Sequence, residues 1–263
     1  MLDKKLIGCI IQARLGSNRF PKKILQLLDK DNTVLDYVLS QLKHSKFLDE
    51  VILATTIENQ DDKIEEIAMN KEIKSFRGSE NDVLSRYYSC AKKFSLDIII
   101  RVTSDCPLID PKILDKGIEI FCSNDYDVLT TNQPYTLPDG LGFEIFSFNA
   151  LKKNTENANL NSEREHVTPF FYNNLQDFKI FNYKNEKNLS HYRCTIDYPE
   201  DLILLRELAK RIKNRPILLK DIIMEYQKDP KLTEINGMHK PLEGYKKSLA
   251  EDKIMKGDYR KND

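Results

Sequence analysis

The sequence predicts an α/β protein: a three-layer α/β/α, Rossmann-like arrangement with a mostly parallel sheet, followed by a small irregular subregion. Two observations carry this. Short apolar runs alternate with helix-period segments as far as Asn132, which points to parallel strands with helices on both faces. Beyond Asn132 the rhythm changes, and Pro134, Pro138, Gly140 and Gly142 crowd one stretch.

The elements follow in order. LIGCIIQA (6–13) reads as a buried strand and TVLDYVLSQLKHS (33–45) as a helix. EVILATT (50–56) is a strand, DDKIEEIAMN (61–70) a helix and KSFRG (74–78) a short strand. NDVLSRYYSCAKKF (81–94) is a helix, and DIIIRVTSD (97–105) is a strand rich in β-branched residues. DPKILDKGIEIF (110–121) is a helix with Asp110 as its N-cap, and DVLTT (127–131) is a further strand. In the irregular part, FEIFS (143–147), FKIFNY (178–183) and YRCTID (192–197) read as strands. SEREHVTPFFYNN (162–174) reads as a helix interrupted near Pro169. PEDLILLRELAKRI (199–212) is an amphipathic helix with Pro199 in its first turn.

Composition narrows the function. With 41 Lys and Arg against 41 Asp and Glu, the chain lacks the basic footprint of a broad nucleic-acid surface. Five dispersed cysteines without a CxxC read as reduced thiols in a cytoplasmic protein, and the scattered histidines do not suggest zinc. No apolar run approaches membrane-spanning length. From about Asn236 the chain is rich in charge. A solvated, partly ordered tail fits that composition, and so does a segment laid over a pocket or a partner subunit.

The loop QARLGSNRFPKK (12–23) follows the first strand and concentrates Arg14, Arg19, Lys22 and Lys23 beside Gly16 and Ser17. In an open parallel sheet, ligands bind at the carboxyl ends of strands. Small residues admit backbone N–H groups to a ligand, and the cations suit oxyanions. A polyphosphate site and a solvated basic loop both fit. Neither GxxxxGK[ST] nor GxGxxG is present.

QARLGSNRFPKK resembles the signature QARxGSxRxPxK of the sugar-acid cytidylyltransferases, and most of all their spore-coat-polysaccharide branch, which is similar to the 3-deoxy-manno-octulosonate and acylneuraminate cytidylyltransferases. FRGSENDVLSRYY, RVTSDCPLIDP, PDGLGFEIFS, SEREHVTPF and RCTIDYPEDL agree with that branch, in its order, over roughly residues 5 to 210. Lys22 departs from the usual glycine, and Gly142 stands where an acidic residue is expected.

The resemblance implies a nucleotidyltransferase domain over 1–230 with a polar tail over 231–263. The implied activity is Mg²⁺-dependent transfer of CMP from CTP to an acidic sugar or related acceptor, with release of pyrophosphate, for surface polysaccharide. A cytoplasmic homodimer is the implied form. Asp105 and Asp197, each expected at the end of a strand on one sheet edge, match the family's metal-binding aspartates. Capping the following helix is a second role for Asp197. Lys23 and Arg14 match its triphosphate ligands and are the expected catalytic pair, with Arg19 in support. Ala13, Gly16, Ser17 and Ser104 are expected along the nucleotide, and Arg77, Gly78 and Ser79 beside its base and ribose. Ser79 and Asp82 also have the spacing of a capping box, and Asp82 and Arg86 that of an i,i+4 ion pair. Asp139, Gly140, Glu144 and His166 are expected to face the acceptor, with Arg164 gripping its carboxylate. Two other readings are a nucleotide-sugar glycosyltransferase, for which Asp125-Tyr126-Asp127 is the DxD candidate, and a non-catalytic nucleotide binder.

Overall fold

The protein's structure, a computed structural model, describes residues 5–17 and 19–259. Positions 1–4, 18 and 260–263, parts of the expected domain, loop and tail, lie outside the described residues. The strands are β1 (Ile7–Gln12), β2 (Glu50–Thr56), β3 (Lys74–Gly78), β4 (Ile98–Thr103), β5 (Val128–Thr130), β6 (Glu144–Ser147) and β7 (Ile180–Asn182). They form one sheet in the order β3-β2-β1-β4-β6-β5-β7. The β1, β2, β3 and β4 pairings are parallel, as is β5 with β7. Only β6 runs against its neighbours, β4 and β5, among the described residues.

Helices α1 (Val34–Leu42), α2 (Asp62–Asn70), α3 (Val83–Lys93) and α4 (Pro111–Cys122) occupy the expected crossovers. Then come α5 (Phe148–Asn157), α6 (Asn161–His166), α7 (Pro169–Asn173), α8 (Pro199–Arg211), α9 (Leu219–Lys228) and α10 (Glu243–Tyr259). Their starts are written in the sequence. Thr33 and Asp36 close a reciprocal capping box on α1, with Asp36 N–H donating to Thr33 Oγ1 and Thr33 N–H to Asp36 Oδ2. Asp110 accepts from the Lys112 and Ile113 amides at the head of α4, in front of Pro111.

Both faces of the sheet are covered, so its central strands are mainly apolar on both faces. Cys9 and Ile11 of β1 join Ile98, Ile100 and Val102 of β4 in a core beneath α1 and α4. Ile10 and Ile99, pointing the other way, join Leu84 and Tyr87 of α3 and Phe171 of α7. Each fully buried Ile or Leu contributes on the order of 1.5–3 kcal/mol. A third core packs α8 and α9 on Leu141 and Ile196 from the irregular part.

One expectation needs correction. YRCTID is not a strand. Its amides find different partners, Cys194 N–H on Asp139 O at 2.6 Å and Ile196 N–H on Asp105 O at 3.0 Å, so no ladder forms. Of the two readings of the charge-rich segment from about Asn236, the structure fits the one laid over a pocket. A 3₁₀ turn (Pro230–Glu234) leads to α10, which packs on α6.

Candidate active site

The basic loop leaves β1 at the carboxyl edge of the sheet. Ala13 is buried and donates its N–H to Ala54 O at 3.0 Å. Leu15 N–H donates to Asp61 Oδ1 at 2.7 Å, and Asp61 is fully buried. The loop then folds back, with Lys22 N–H on Leu15 O at 3.1 Å. Lys22 has φ 55°, the left-handed region in which glycine is easiest, so a glycine at this place has a backbone reason. The turn aims Lys23 inward.

Lys23 Nζ donates to Asp105 Oδ2 at 2.7 Å and to Asp197 Oδ1 at 2.8 Å. The two acids, distant in sequence, thus meet at one ammonium. Their convergence is built by backbone bonds. The Asp105 carbonyl accepts from the Ile196 amide and from Thr195 Oγ1 at 3.2 Å. Asp201, fully buried, accepts from the Asp197 and Tyr198 amides at 2.8 and 3.0 Å. Arg193 clamps Asp201 through Nε and Nη2 at 2.8 and 3.0 Å, and its Nη1 and Nη2 reach Asp139 at 2.8 Å and Asp197 at 3.2 Å. Arg19 Nη2 donates to Asp197 Oδ1 at 2.5 Å.

The electrostatics keep this cluster ionised. Burial works against charge on Asp105, but Lys23 outweighs it and brings the carboxyl down to about 2. Burial likewise opposes the Lys23 ammonium, and the two aspartates outweigh it and raise its pKa. At Asp139 burial wins: aided by Asp197 and Asp105, it overrides Arg193 and pushes the carboxyl up to about 6.

Two adjoining cavities open here. One, of about 540 Å³, is walled by Ala13, Arg14, Ser17, Lys23 and Ser104. The other, of about 490 Å³, is walled by Asp139, Gly140, Glu144, Tyr135 and Tyr172. Arg19, Asp105, Asp197 and His166 border both, as does Glu243 at the start of α10. Gly140 has φ +97°, and a Cβ there would stand 2.5 Å from Thr195 N, so the wall needs glycine. At Gly142 a Cβ would meet Asn132 Oδ1 at 2.7 Å, which leaves no ready space for an acidic side chain.

Other expected residues go elsewhere. Arg164 reaches neither cavity. Its Nε and Nη2 bind Asp82 Oδ2 at 2.8 and 2.6 Å, and Nη1 binds the Ala158 and Thr155 carbonyls, so it ties α6 to α3. Asp82 therefore pairs with Arg164 rather than with Arg86. Arg77 is held by Asp62, Glu65 and the carbonyls of Thr56 and Glu58. Gly78 closes β3 against Arg86, and Ser79 Oγ accepts from the Asp82 amide, away from both cavities. Gly16 packs on Gln60 behind the loop. Glu144, though on the wall, already holds Arg101 at 3.0 Å and Asn132 at 2.7 Å.

Several lining residues escaped the sequence reading. Arg101 had a signal, a cation inside the β-branched run IIIRVT. Arg86 and Arg193 were hidden by helix and strand assignments. Glu243, Lys247 and Ser248 stand on α10, which crosses the mouth. It is fastened on one side by Tyr198 Oη donating to Glu243 at 2.5 Å and on the other by Ser248 Oγ with His166 Nε2 at 3.1 Å. Burial pushes the His166 ring down to about 4, so it is neutral at pH 7.

Two carboxylates would hold a divalent ion here. Among the described residues no group of three or more His, Cys, Asp or Glu side chains is placed to hold a metal. Asp105 and Asp197 do form a two-carboxylate set around the Lys23 ammonium, a cation standing where another would be drawn. Magnesium commonly takes one or two carboxylates and completes its octahedron with phosphate oxygens and water.

Comparison with known proteins places the chain in a family. A family model described as Cytidylyltransferase matches residues 8–235. The solved structure of a cytidylyltransferase from Leptospira borgpetersenii is 41% identical, with a TM-score of 0.84, covering 87% of this chain and 97% of that one. An uncharacterized protein of Methanocaldococcus jannaschii is 40% identical over 88% of this chain and 94% of its own. The spore coat polysaccharide biosynthesis protein SpsF of Bacillus subtilis is 31% identical over 79% of this chain and 88% of its own. Helix α10 begins beyond the family match, yet it walls both cavities. The chain belongs to the cytidylyltransferase family and is a CTP-dependent nucleotidyltransferase.

Proposed function

We propose that the protein transfers CMP from CTP to an acidic sugar or related acidic acceptor, with magnesium, for surface polysaccharide assembly. The convergence of Lys23, Asp105 and Asp197 at the junction of two cavities carries the reading. The larger cavity, rich in cations, takes CTP, and the smaller takes the acceptor. An acceptor oxygen attacks the α-phosphorus, and pyrophosphate leaves by direct displacement. Lys23 and Arg14 neutralise charge on the phosphates, and the rigid cluster positions the reacting groups without reorganising. A magnesium ion on Asp105 and Asp197 would supply further charge neutralisation.

The acceptor's carboxylate needs a cation. Arg164 does not reach it, and Arg101 and Arg193 already hold carboxylates. Arg19 also pairs with Asp197, but at 36% exposed, against 13% for Arg101 and 9% for Arg193, and bordering both cavities, it is the more open cation and takes that part. A role in polysaccharide assembly is supported by the printed name of the Bacillus subtilis relative.

A glycosyltransferase reading loses its motif. Asp125 pairs with Lys179, and Asp127 accepts from the Lys179 amide, at the amino-terminal end of β5. Through β6, β5 runs parallel to β4, so this is the sheet edge opposite the site. Among the described residues no helix is long and apolar enough to cross a membrane. A homodimer in the cytoplasm belongs to the same proposal, and light scattering tests the dimer.

The deciding experiment incubates the protein with CTP, Mg²⁺ and a panel of sugar acids. Pyrophosphate release that depends on one of them supports the reading. Release of a nucleoside diphosphate from a nucleotide-sugar, or CTP binding without turnover on any acid, refutes it.

A further inference from the structure

The segment leading into α10, and the helix's first turn, lie beyond the family match, which ends at residue 235. Both are nevertheless tied to the cluster that fixes Asp197. Asn236, 2% exposed, donates through Nδ2 to Asp201 Oδ1 at 2.8 Å and to the Arg193 carbonyl at 3.3 Å. Further on, Glu243 Oε2 accepts from Tyr198 Oη at 2.5 Å, and its Oε1 accepts from the Lys240 amide at 3.3 Å. Between these anchors His239 stacks on the Tyr198 ring, with centroids 3.9 Å apart and planes 6° from parallel. Its Nε2 meets Glu200 at 3.2 Å.

Tyr198 follows Asp197 in the chain and lies against Arg19. The Arg19 guanidinium is 5.4 Å from the centre of the Tyr198 ring, within reach of a cation–π contact. Its Nη2 donates to Asp197, and its Nη1 stands 3.9 Å from the Glu243 carboxylate. A free arginine side chain samples many rotamers, and a ligand must order it on binding. Here two carboxylates and a ring hold the guanidinium at the junction of the two cavities.

We propose that Glu243 is a positioning residue: it pins the Tyr198 ring, and the pinned ring sets Arg19 for the acceptor's carboxylate. This rests on the acceptor reading above, which gives Arg19 that part. Both Glu243 oxygens are already engaged, and its charge repels a carboxylate, so it acts through Tyr198 and not on the acceptor itself. Residues beyond the family match thereby become a working part of this chain's acceptor site.

The test uses the full chain, CTP with Mg²⁺, and the sugar acid of the panel on which wild type releases pyrophosphate fastest. Glu243→Ala should raise KM for that acid about 10-fold, while calorimetric affinity for CTP with Mg²⁺ stays within about twofold. Glu243→Gln, which keeps an oxygen for Tyr198, should recover most of the loss. Tyr198→Phe should match Glu243→Ala, and the double variant should be no worse than either alone, because both break one route. Additive losses in the double variant would overturn the route through Tyr198. An equal loss for CTP would make Glu243 a structural residue, and a lower KM for the acid would make it a rival for Arg19; either result overturns the proposal. Should Glu243→Ala not fold, Tyr198→Phe decides alone, since it removes one oxygen and an unchanged acid KM there overturns the proposal. An unchanged KM in Glu243→Ala refutes this inference and leaves the parent reading standing. Wild type that binds CTP and turns over no acid refutes the parent reading and this inference with it.

Discussion

Lys23→Met removes an ammonium from between two carboxylates and keeps most of the side-chain volume. The distances of 2.7 and 2.8 Å put the facing oxygens of Asp105 and Asp197 no more than about 5.5 Å apart. Two unit charges at that separation repel by about 3 kcal/mol at an effective dielectric near 20. Lys23, Asp105 and Asp197 side chains are 12%, 25% and 17% exposed, so solvent screens part of this. The variant should lose about 1–3 kcal/mol of stability without added metal. A chain of this size shifts by roughly 2–4 °C per kcal/mol, which a melting curve resolves. Magnesium offers a replacement charge, so millimolar Mg²⁺ should raise the variant's midpoint more than that of wild type. Steady-state pyrophosphate release should show kcat down by about 100- to 1,000-fold, the cost of a lost transition-state contact. A variant with wild-type stability and no added response to Mg²⁺ would falsify the claim that Lys23 balances the two acids. A rise in KM for CTP with kcat intact would reduce Lys23 to uniform binding.

Asp105→Asn, nearly isosteric, should lower pyrophosphate release by about 100-fold or more with a circular dichroism spectrum like wild type. Full activity would take Asp105 out of the site. Arg164→Ala breaks the tie between α6 and α3, so it should cost about 1–3 kcal/mol in urea denaturation and leave the acceptor KM within about twofold. A large rise in that KM at unchanged stability would return Arg164 to acceptor binding. His166 is held near 4 by burial and titrates near 6.5 when unfolded. Between those values the unfolded chain binds a proton that the folded chain refuses. Its contribution is therefore complete above about pH 6.5 and is lost as pH falls towards 4. Denaturation midpoints of wild type should fall more steeply over that window than those of His166→Asn, and parallel slopes would sink the assignment.

The sheet was legible because the central strands β1 and β4 are mainly apolar on both faces and three of the four crossover helices begin at a side-chain cap, at Thr33, Asp82 and Asp110. The loop, too, was legible as a concentration of cations after a strand. What the sequence did not show was who uses each charge. Asp82 and Arg86 have the spacing of a helical ion pair. Asp82, however, sits at the N-cap, where one oxygen accepts from the Ser85 amide at 2.9 Å and the other faces Arg164. Arg164 comes from a helix that meets α3 only in the folded chain, so no local pattern marks the exchange. Helix α10 was hidden for a related reason. Its attachments are polar, Glu243 to Tyr198, Ser248 to His166 and Asp252 to the Ser162 amide at 3.3 Å. A helix held by such contacts has no apolar stripe to betray which face is covered.

The misread strand at YRCTID explains how the site is assembled. A ladder would commit every second amide of residues 192–197 to one neighbouring strand. Instead Cys194 bonds the Asp139 loop and Ile196 bonds the Asp105 loop, so one short segment fixes a wall of the smaller cavity and the Asp105 carboxylate at once. Asp197 follows immediately and is fixed by Asp201 from behind. Arg193, at the other end of the same segment, holds Asp139, Asp197 and Asp201 together. Irregular backbone is what lets two acids far apart in sequence meet one lysine, because its amides are free to choose loops rather than strands as partners.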